Sequence, residues 1–373
     1  MLIQIHMLQN YAPANLNRDD SGSPKTAFFG GHQRGRISSQ CLKRSIRHSP
    51  TFADVFKKDK LLAARTRRLP QLISEALQGM DVADDVRQAI VVRAPEIGQE
   101  STKREKATVG PEKEETRQLI FLGSGEVHKI AEKLLAKYEE VGDKKWQSLK
   151  IEEITKELGA SLPLSVDIAM FGRMTTSAAF EDVQAAVQVA HALSTNRTVA
   201  EYDYFTAVDD LSGESGVGMI GDVEFNSSTY YKYFNIHWEQ LVKNLGDDTE
   251  TASQAVSALL EAAATAQPSG KQNSFAAQNL PDFVLVEISD KNIPVSYANA
   301  FLQPADNFNG SLTQNSLKKL NEYATSLRTA YGLNGRRAYF AVIPAELTNA
   351  QDVQTMPALQ QWTLTQIQEA LNG

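Results

Sequence analysis

The sequence predicts an α+β protein in which a sheet-forming core is interrupted by a long helical insertion. Three observations lead to this class. Residues 2–8 alternate, with Ile3, Ile5 and Met7 on one face of a half-buried strand. Residues 52–165 carry apolar positions at helical spacing over most of their length. Beyond residue 200, β-rich segments return and alternate with helices.

The segment between the first strand and the insertion contains one predicted helix. Residues 9–37 have the composition of a loop, with an Asn-Arg-Asp-Asp run, a Ser-Gly-Ser-Pro stretch and the pair Gly30-Gly31. Ser38 and Ser39 are suitable N-caps for a short helix over 40–48, which Ser49-Pro50 ends. Inside the insertion, residues 96–118 mix both charges with glycine and proline, so we expect an exposed loop there.

The second half of the chain alternates strands and helices. Its composition predicts a strand over 166–176 and an amphipathic helix over 181–194, since Val183, Val187, Ala190 and Leu193 recur at helical spacing. A hairpin is expected from 202–208 and 219–225, which flank a glycine-rich stretch. The remaining predictions are strands over 230–238, 283–288 and 337–343, helices over 250–266, 312–331 and 359–371, and a loop over 271–279. This order fits a split-βαβ, ferredoxin-like core whose open sheet face could carry single-stranded nucleic acid.

Composition excludes several classes of protein. No run approaches the length of apolar residues that a membrane-spanning helix needs, and the first residues lack a basic leader, so we expect a cytoplasmic protein without a membrane partner. Cys41 is the single cysteine, which excludes an internal disulfide or a zinc site with paired cysteines. With six scattered histidines, we expect no metal and no cofactor.

Positive charge is concentrated near the amino end. The net charge is −7, which argues against a protein that coats nucleic acid with its whole surface. Residues 21–53, however, contain no Asp or Glu. The basic residues in this stretch are Lys25, Arg34, Arg36, Lys43, Arg44 and Arg47.

One face of the predicted 40–48 helix is cationic. At 100° per residue, Gln40, Lys43, Arg44 and Arg47 fall within an arc of about 100°. Such a face can follow a row of phosphates while the helix N-terminus offers free N–H groups. An ordinary solvated face normally mixes charges of both signs, so the lack of acids favours phosphate binding.

Catalytic motifs are absent from the sequence. Asp19-Asp20 with His6 or His32 could be imagined as an acid–base set, but paired Asp in a loop is more often a turn or capping device. The glycine-rich stretches lack the Lys-Ser/Thr of a phosphate-binding loop, and Cys41 is better explained by packing. We therefore expect a protein that is not an enzyme.

Aromatic and sulfur-containing side chains form a second candidate feature. Phe171, Met174, Tyr204 and Phe205 could stack on bases or wedge between them. Core packing is the better explanation for Phe171 and Tyr204. Met174 follows Gly172-Arg173 and precedes Thr-Thr-Ser, so exposure is expected there.

Several motifs resemble a known family. They are LNRDD at 16–20, FFGGHQRGRISSQCLKRSIR at 28–47, DIAMFGRM at 167–174, AHALST and DYFTAVDDL within 190–211, EFNSSTYYKYFNI at 224–236, SYANAF at 296–301 and YGLNG at 331–335. In this order they are similar to the repeated backbone subunit of the type I-E CRISPR surveillance complex, Cascade (the CasC family of the RAMP superfamily). The insertion at 52–165 shows no matching motif, and Cys41 stands where the family usually has a small hydroxyl residue.

The resemblance implies a non-catalytic protein shaped like a hand. It has an RRM-like palm at 1–51 and 166–373, helical fingers at 52–165 and a β-hairpin thumb at about 200–225. Copies are expected to stack head to tail along CRISPR guide RNA (crRNA) as a helical filament, together with other Cascade subunits, and to present the guide to target DNA. The alternative within the same superfamily is an RRM-like endonuclease that processes precursor CRISPR RNA, with His6 or His32 as its acid–base residue. A generic single-strand-binding protein is disfavoured by the net acidity.

The resemblance also assigns residues. Lys25, Gln40, Lys43, Arg44 and Arg47 match palm positions that hold the RNA backbone, with Arg18 and Arg34 as neighbours, and Arg36 joins them from the charge pattern. Met174 matches a position that props a displaced guide nucleotide. Phe205 and Thr206 match the start of the thumb. Lys144 and Lys145, in the fingers, are expected to face target DNA.

Overall fold

The computed structural model describes residues 1–97, 115–116, 118–150, 153–154, 158, 165–175, 179–208, 211 and 217–372. Most of the predicted loop over 96–118 and most of the hairpin tip lie outside the described residues. The chain divides into two compact units. The first unit contains Met1–Phe52, Gln188–Trp238 and Ser253–Gly373, and the second contains Ala53–Val187 and Glu239–Ala252.

The chain begins with a long strand and ends with a long helix. Its first half contains β1 (Leu2–Ala14), β2 (Thr26–Phe29), β3 (His32–Ile37), α1 (Ser39–His48), α2 (Pro50–Lys57), β4 (Ala63–Thr66), α3 (Leu69–Gln78), α4 (Asp84–Val91), α5 (Ala94–Ile97), β5 (Ile120–Gly123), α6 (Ser124–Val141), α7 (Asp143–Trp146) and α8 (Val166–Phe171). The second half contains β6 (Val187–Val189), β7 (Ala192–Ser194), β8 (Glu201–Val208), β9 (Val217–His237), α9 (Trp238–Asn244), α10 (Thr249–Thr265), α11 (Gln272–Phe275), β10 (Phe283–Ser289), a 3₁₀ turn (Ala298–Phe301), α12 (Leu312–Tyr331), β11 (Arg336–Ala341), β12 (Gln351–Asp352) and α13 (Met356–Asn372).

The first unit is a mixed α/β structure built on a large, mostly antiparallel sheet. Its strand order is β12-β11-β10-β1-β9-β7-β3-β2, and β6 and β8 also pair with β9. The short strand β12 pairs in parallel with β11 at one edge. The long strand β9 joins two structures, because its second half lies in the sheet beside β1 and its first half forms a two-stranded ribbon with β8.

Strand β1 is buried on both faces, which corrects the half-buried strand that its alternation predicted. Ile3, Ile5 and Met7 on one face are at most 1% exposed, and Gln4 and His6 on the other face are also buried. The polar side chains have partners there. Gln4 Oε1 accepts hydrogen bonds from the Tyr233 hydroxyl and the Val295 amide, both at 2.7 Å. A buried polar residue is tolerated when its hydrogen bonds are made.

The second unit has its own apolar core. Leu69, Ile73 and Leu77 project from α3 against Ile130 and Leu134 of α6. These positions recur every three or four residues, which is the spacing that places side chains on one face of a helix. A short antiparallel pair, β4 and β5, closes this core, with Arg65 opposite Phe121.

Two predicted elements of the middle segment are wrong in type. The sequence predicts a strand over 166–176, but Val166–Phe171 is a helix that ends at Gly172, whose φ is +78°. It predicts a helix over 181–194, but these residues contain β6 and β7. Backbone pairing decides the second case, because Leu193 and Ser194 lie opposite Tyr231 and Tyr230 of β9 and the Ala190 amide donates to the Tyr233 carbonyl. Tertiary pairing outweighs a helical spacing of apolar residues.

Two predicted loops also contain regular structure. The predicted loop over 9–37 includes the second half of β1 and a β2–β3 hairpin, and the predicted loop over 271–279 contains the short helix α11. Gly30 and Gly31 connect β2 to β3 with φ angles of +60° and +78°. A two-residue connection with both φ angles positive suits a tight hairpin, and glycine adopts it without steric cost.

The strands predicted separately over 219–225 and 230–238 form one continuous strand, β9. The other predicted helices and strands are confirmed within a few residues, and the helix over 312–331 agrees at both ends. Among the described residues, no helix is both long and apolar enough to cross a bilayer.

Candidate nucleic-acid interface

Helix α1 presents a polar, cationic face because its apolar residues are fixed in the core. Leu42 and Ile46, four residues apart, are buried, whereas Gln40 and Arg44 are exposed and Lys43 and Arg47 are half-buried. The Ser38 hydroxyl caps the helix by accepting the Cys41 amide at 3.3 Å. Arg47 and His48 lie in the last turn, where positive charge interacts favourably with the helix dipole. Capping and anchoring together fix which side chains reach solvent.

The β2–β3 hairpin brings two further cations to this helix. The Arg36 amide donates to the Lys25 carbonyl at 2.8 Å, so these residues lie opposite each other. Burial raises the pKa of Cys41 in α1, and the positive charges of Lys25 and Arg44 partly oppose this rise, so both cations lie near the helix. We call the set Lys25, Arg36, Gln40, Lys43, Arg44 and Arg47 the cationic surface.

His191 lies at the edge of the cationic surface, and sequence reasoning does not select it. Its Nδ1 accepts the Ser39 amide at 3.2 Å and lies 3.5 Å from Arg36 Nη1. Burial and the charges of Arg36 and Lys25 lower the pKa of His191. The sequence around His191 gives no sign that it lies beside helix α1, because Ser39, whose amide it accepts, is more than 150 residues away in the chain.

Arg34 is placed quite differently from Arg36. Its side chain is 0% exposed, and its guanidinium donates to the carbonyls of Ser194, Thr195, Phe301 and Leu302 at 2.6–3.4 Å. Burial lowers the pKa of Arg34. Arg34 therefore connects strands and loops of the first unit and cannot reach an external strand in this conformation, so we leave it out of the cationic surface.

Arg18 lines a cleft beside α1. The cleft has a volume of about 600 Å³, and Arg44, Ser45 and Cys41 also line it. Asp19 and Asp20 line it as well. Asp19 Oδ1 accepts the amides of Ser21 and Ser23, both at 3.0 Å, which is the local turn geometry typical of Asp. The cleft is thus adjacent to the cationic surface but is less positive.

Met174 stands out from a well-anchored loop of the second unit. It is 93% exposed. Arg173 before it exchanges both backbone hydrogen bonds with Val183, and the Thr175 amide after it donates to Asp182 Oδ1 at 2.7 Å. The Arg173 guanidinium is buried and pairs with Glu126 at 2.7 Å. The neighbours fix the backbone at this position, so the loop presents the apolar Met174 side chain to solvent at a defined place.

The β8–β9 ribbon has two distinct faces. Phe205 lies opposite Gly221, and a Cβ atom on Gly221 would approach Phe205 Cζ to 2.5 Å, so the Phe205 ring covers the glycine. Thr206, on the other face, is exposed, as is Tyr202. Tyr204 is 65% exposed, so the core packing predicted for it is wrong. Hence Phe205 occupies a defined position although the ribbon is solvated.

The remaining sequence candidates also have defined positions. Lys144 and Lys145 are exposed in the short helix α7, which the buried Trp146 anchors. His6, a candidate for the endonuclease alternative, is 0% exposed and hydrogen-bonded to the Tyr231 hydroxyl at 2.8 Å. His32 is half-buried in β3. Among the described residues, no group of three or more His, Cys, Asp or Glu side chains could hold a metal ion.

Comparison with known proteins gives consistent matches over nearly the whole chain. The family model described as "CT1975-like protein" matches residues 3–370. A solved chain titled "CRISPR RNA-guided surveillance complex, pre-nicking" is 31% identical with a TM-score of 0.82, and the match covers 98% of this chain and 100% of that chain. Another, titled "CRISPR RNA-guided surveillance complex", is 26% identical with a TM-score of 0.62 and the same coverage. The search of curated proteins gave no match.

Proposed function

Because this chain belongs to the CT1975-like protein family, we propose that it is a structural, guide-RNA-binding backbone subunit of a Cascade-type CRISPR surveillance complex. The family membership confirms the resemblance carried by the sequence motifs. In this proposal the first unit supplies an RRM-like palm and the β8–β9 thumb, and the second unit supplies the fingers. The protein acts in the cytoplasm without cofactor or catalysis.

The cationic surface is the observation that carries the proposal. It gathers five cations and one amide on a chain whose net charge is −7, and all six residues lie within residues 21–53, which contain no Asp or Glu. Within the described residues, no carboxylate forms an ion pair with Lys25, Arg36 or Arg44. Lys, Arg and Gln side chains contact phosphates and sugars without reading base edges. A subunit that must hold every guide sequence needs this kind of contact, because the bases have to remain free for pairing.

Three further features fit the same role. Met174 is an exposed apolar side chain on an anchored loop, and the Phe205 ring is held over Gly221, as suits groups that prop or displace a nucleotide. Phe205 and Thr206 form the start of the thumb. Lys144 and Lys145 offer a separate positive site that we assign to target DNA paired with the guide. Contacts with other copies and with other subunits complete the assembly.

The proposal predicts a specific salt dependence. Replacing Lys43 and Arg47 by Ala should weaken binding of single-stranded RNA for all sequences alike and flatten the log–log salt dependence by about two phosphate contacts. Affinity of the full-length chain is measured for several unrelated RNA sequences over a salt series. The double variant Lys318→Ala with Lys319→Ala removes the same charge from α12 and should leave the salt dependence unchanged.

Two outcomes would contradict this function. An unchanged salt dependence in the Lys43→Ala, Arg47→Ala variant would remove the cationic surface as the binding site. Specific cleavage of precursor RNA by the purified protein, with or without divalent metal, would instead favour the endonuclease alternative. The burial of His6 gives that alternative no support.

A further inference from the structure

His191 has one ring nitrogen occupied and one available. Its Nδ1 accepts the Ser39 amide at 3.2 Å, and Arg36 Nη1 lies 3.5 Å from the same atom. The residue is exposed, and Nε2 has no hydrogen-bond partner among the described residues. The free nitrogen is therefore open to a ligand.

The geometry also fixes the form of the imidazole. A backbone amide can only donate, so Nδ1 must carry a lone pair and no proton. In the neutral ring the hydrogen then lies on Nε2, which becomes a donor. The lowered pKa of His191, caused by the partial burial of its ring and by the charges of Arg36 and Lys25, agrees with a neutral ring at physiological pH.

The surroundings of His191 favour an anion. Arg36 and Lys25 are the charged groups that act on it. It also lies at the N-terminus of α1, where the Ser39 amide is used by His191 and the Cys41 amide by Ser38. The Gln40 amide between them donates to none of the described residues. A helix N-terminus beside two cations attracts a negatively charged oxygen.

We propose that His191 is a further guide-binding residue, whose neutral imidazole donates its Nε2–H to a phosphate oxygen of the strand held by the cationic surface. This inference rests on the proposed function and adds a contact that carries no charge. Its Nδ1 at the same time positions the first turn of α1 and Arg36. A neutral donor strengthens binding without releasing a counterion, so its effect differs in kind from that of Lys43 or Arg47.

Two substitutions separate binding from positioning. In His191→Asn the amide oxygen can still accept the Ser39 amide, but the outer donor is lost. In His191→Gln the longer side chain places an N–H₂ group near the position of Nε2. We expect His191→Asn to weaken binding of single-stranded RNA about ten-fold at every salt concentration with an unchanged salt dependence. We expect His191→Gln to stay within about three-fold of the unmodified protein.

The experiment compares both variants with two controls, using the full-length chain and one labelled single-stranded RNA. His128→Asn changes an exposed histidine of α6 and should have no effect. The Lys43→Ala, Arg47→Ala variant should lower both affinity and salt dependence. Thermal unfolding of every variant checks that the fold is retained.

The results distinguish this inference from the proposed function. If His191→Asn binds like the unmodified protein while the Lys43→Ala, Arg47→Ala variant is impaired, the His191 contact is refuted and guide binding stands. If His191→Asn also flattens the salt dependence by about one charge, His191 acts as a cation and the neutral-donor assignment is wrong. If neither variant changes binding, both proposals fail.

Discussion

Two ionisable side chains are buried in the first unit, and the cost of burying their charge is offset by polar partners to very different degrees. Glu287 Oε1 pairs with Arg337 Nε at 2.6 Å and Arg328 Nη1 at 3.3 Å, and its Oε2 accepts the Tyr297 hydroxyl at 2.8 Å. Burial raises the pKa of Glu287, but these charges and His6 together lower it to about 2. Lys232 has no such set. Its Nζ donates to the Ala263 carbonyl at 3.4 Å and lies 5.8 Å from the centre of the Tyr11 ring.

Because Lys232 lacks such partners, its burial should lower the stability of the fold by an amount that depends on pH. Burial lowers the pKa of Lys232 from 10.5 to about 7. Between these pH values the unfolded chain binds a proton that the folded chain does not, so stability rises with pH from about 7 to 10.5. We expect Lys232→Met to remove this rise and to increase the free energy of unfolding at pH 7 by roughly 1–4 kcal/mol.

Urea unfolding at pH 7 and pH 9 measures the effect. The difference between the two pH values should be smaller in Lys232→Met than in the unmodified protein. Lys318→Met, which changes an exposed lysine of the same unit, should retain the full difference. An identical pH dependence in all three proteins would show that Lys232 is not a buried neutral amine.

For single residues, the sequence shows which segment is basic but does not show which of its side chains are buried. Arg34 and Arg36 belong to one basic segment, yet Arg34 is fully buried and Arg36 is half-buried. The difference arises from the carbonyls of Thr195 and Phe301, which cover Arg34 and come from distant parts of the chain. No local pattern could show this, whereas the exposed face of α1 follows from helical spacing alone and agrees with the prediction.

Among the elements, the β8–β9 ribbon shows how one glycine can position an aromatic ring. Gly221 has room for the Phe205 ring because it has no side chain. Covering a cross-strand glycine with an aromatic ring is a known way of stabilising strands. The ring therefore has a fixed place on a ribbon whose other large side chains, such as Tyr202 and Tyr204, are mostly exposed.

Gly221→Ala should displace the Phe205 ring without unfolding the protein. The added methyl group would meet the ring and not the backbone, so the ring can move aside. If Phe205 displaces a guide nucleotide, the variant should reduce the fluorescence increase of a 2-aminopurine base at the displaced position about as much as Phe205→Ala does. Combining both substitutions should cause no further loss, since they remove the same interaction.

Asp222→Asn provides a control for this experiment. Asp222 lies opposite Tyr204 on the other face of the ribbon, so its substitution should leave the fluorescence change intact. Equal fluorescence in Gly221→Ala and the unmodified protein would contradict the role of the ring.

Helices and strands are predicted correctly where local sequence, such as the apolar face of one helix or the alternation within one strand, is enough to define them. Helix α12 agrees at both ends because Ser311 caps it, with Gln314 completing the capping box, and Gly332 ends it in the left-handed conformation. The prediction of a helix over 181–194 is wrong. The apolar spacing there suits a helix, but the residues form strands because they pair with the edge of β9. The outcome there depends on a partner strand more than 30 residues away in sequence.

For the whole molecule, the distribution of charge bears on assembly. The chain is acidic overall, but residues 21–53 contain six Lys or Arg residues and no Asp or Glu. Copies of such a chain repel one another at low ionic strength through their net negative charge, whereas a polyanion that binds the cationic surfaces of successive copies brings them together. In the proposed function, guide RNA has this effect and determines where each copy lies.

Assembly on RNA should therefore follow the length of the RNA. Head-to-tail contacts do not close on themselves, so doubling the length of a single-stranded RNA should about double the number of bound copies. Native mass spectrometry of the protein with RNAs of increasing length gives this number directly. The Lys43→Ala, Arg47→Ala variant should form fewer complexes at the same concentration, because each copy loses contacts with the strand. A single bound copy on every RNA would mean that the protein binds RNA without forming a backbone, and the filament would have to be abandoned while RNA binding itself stood.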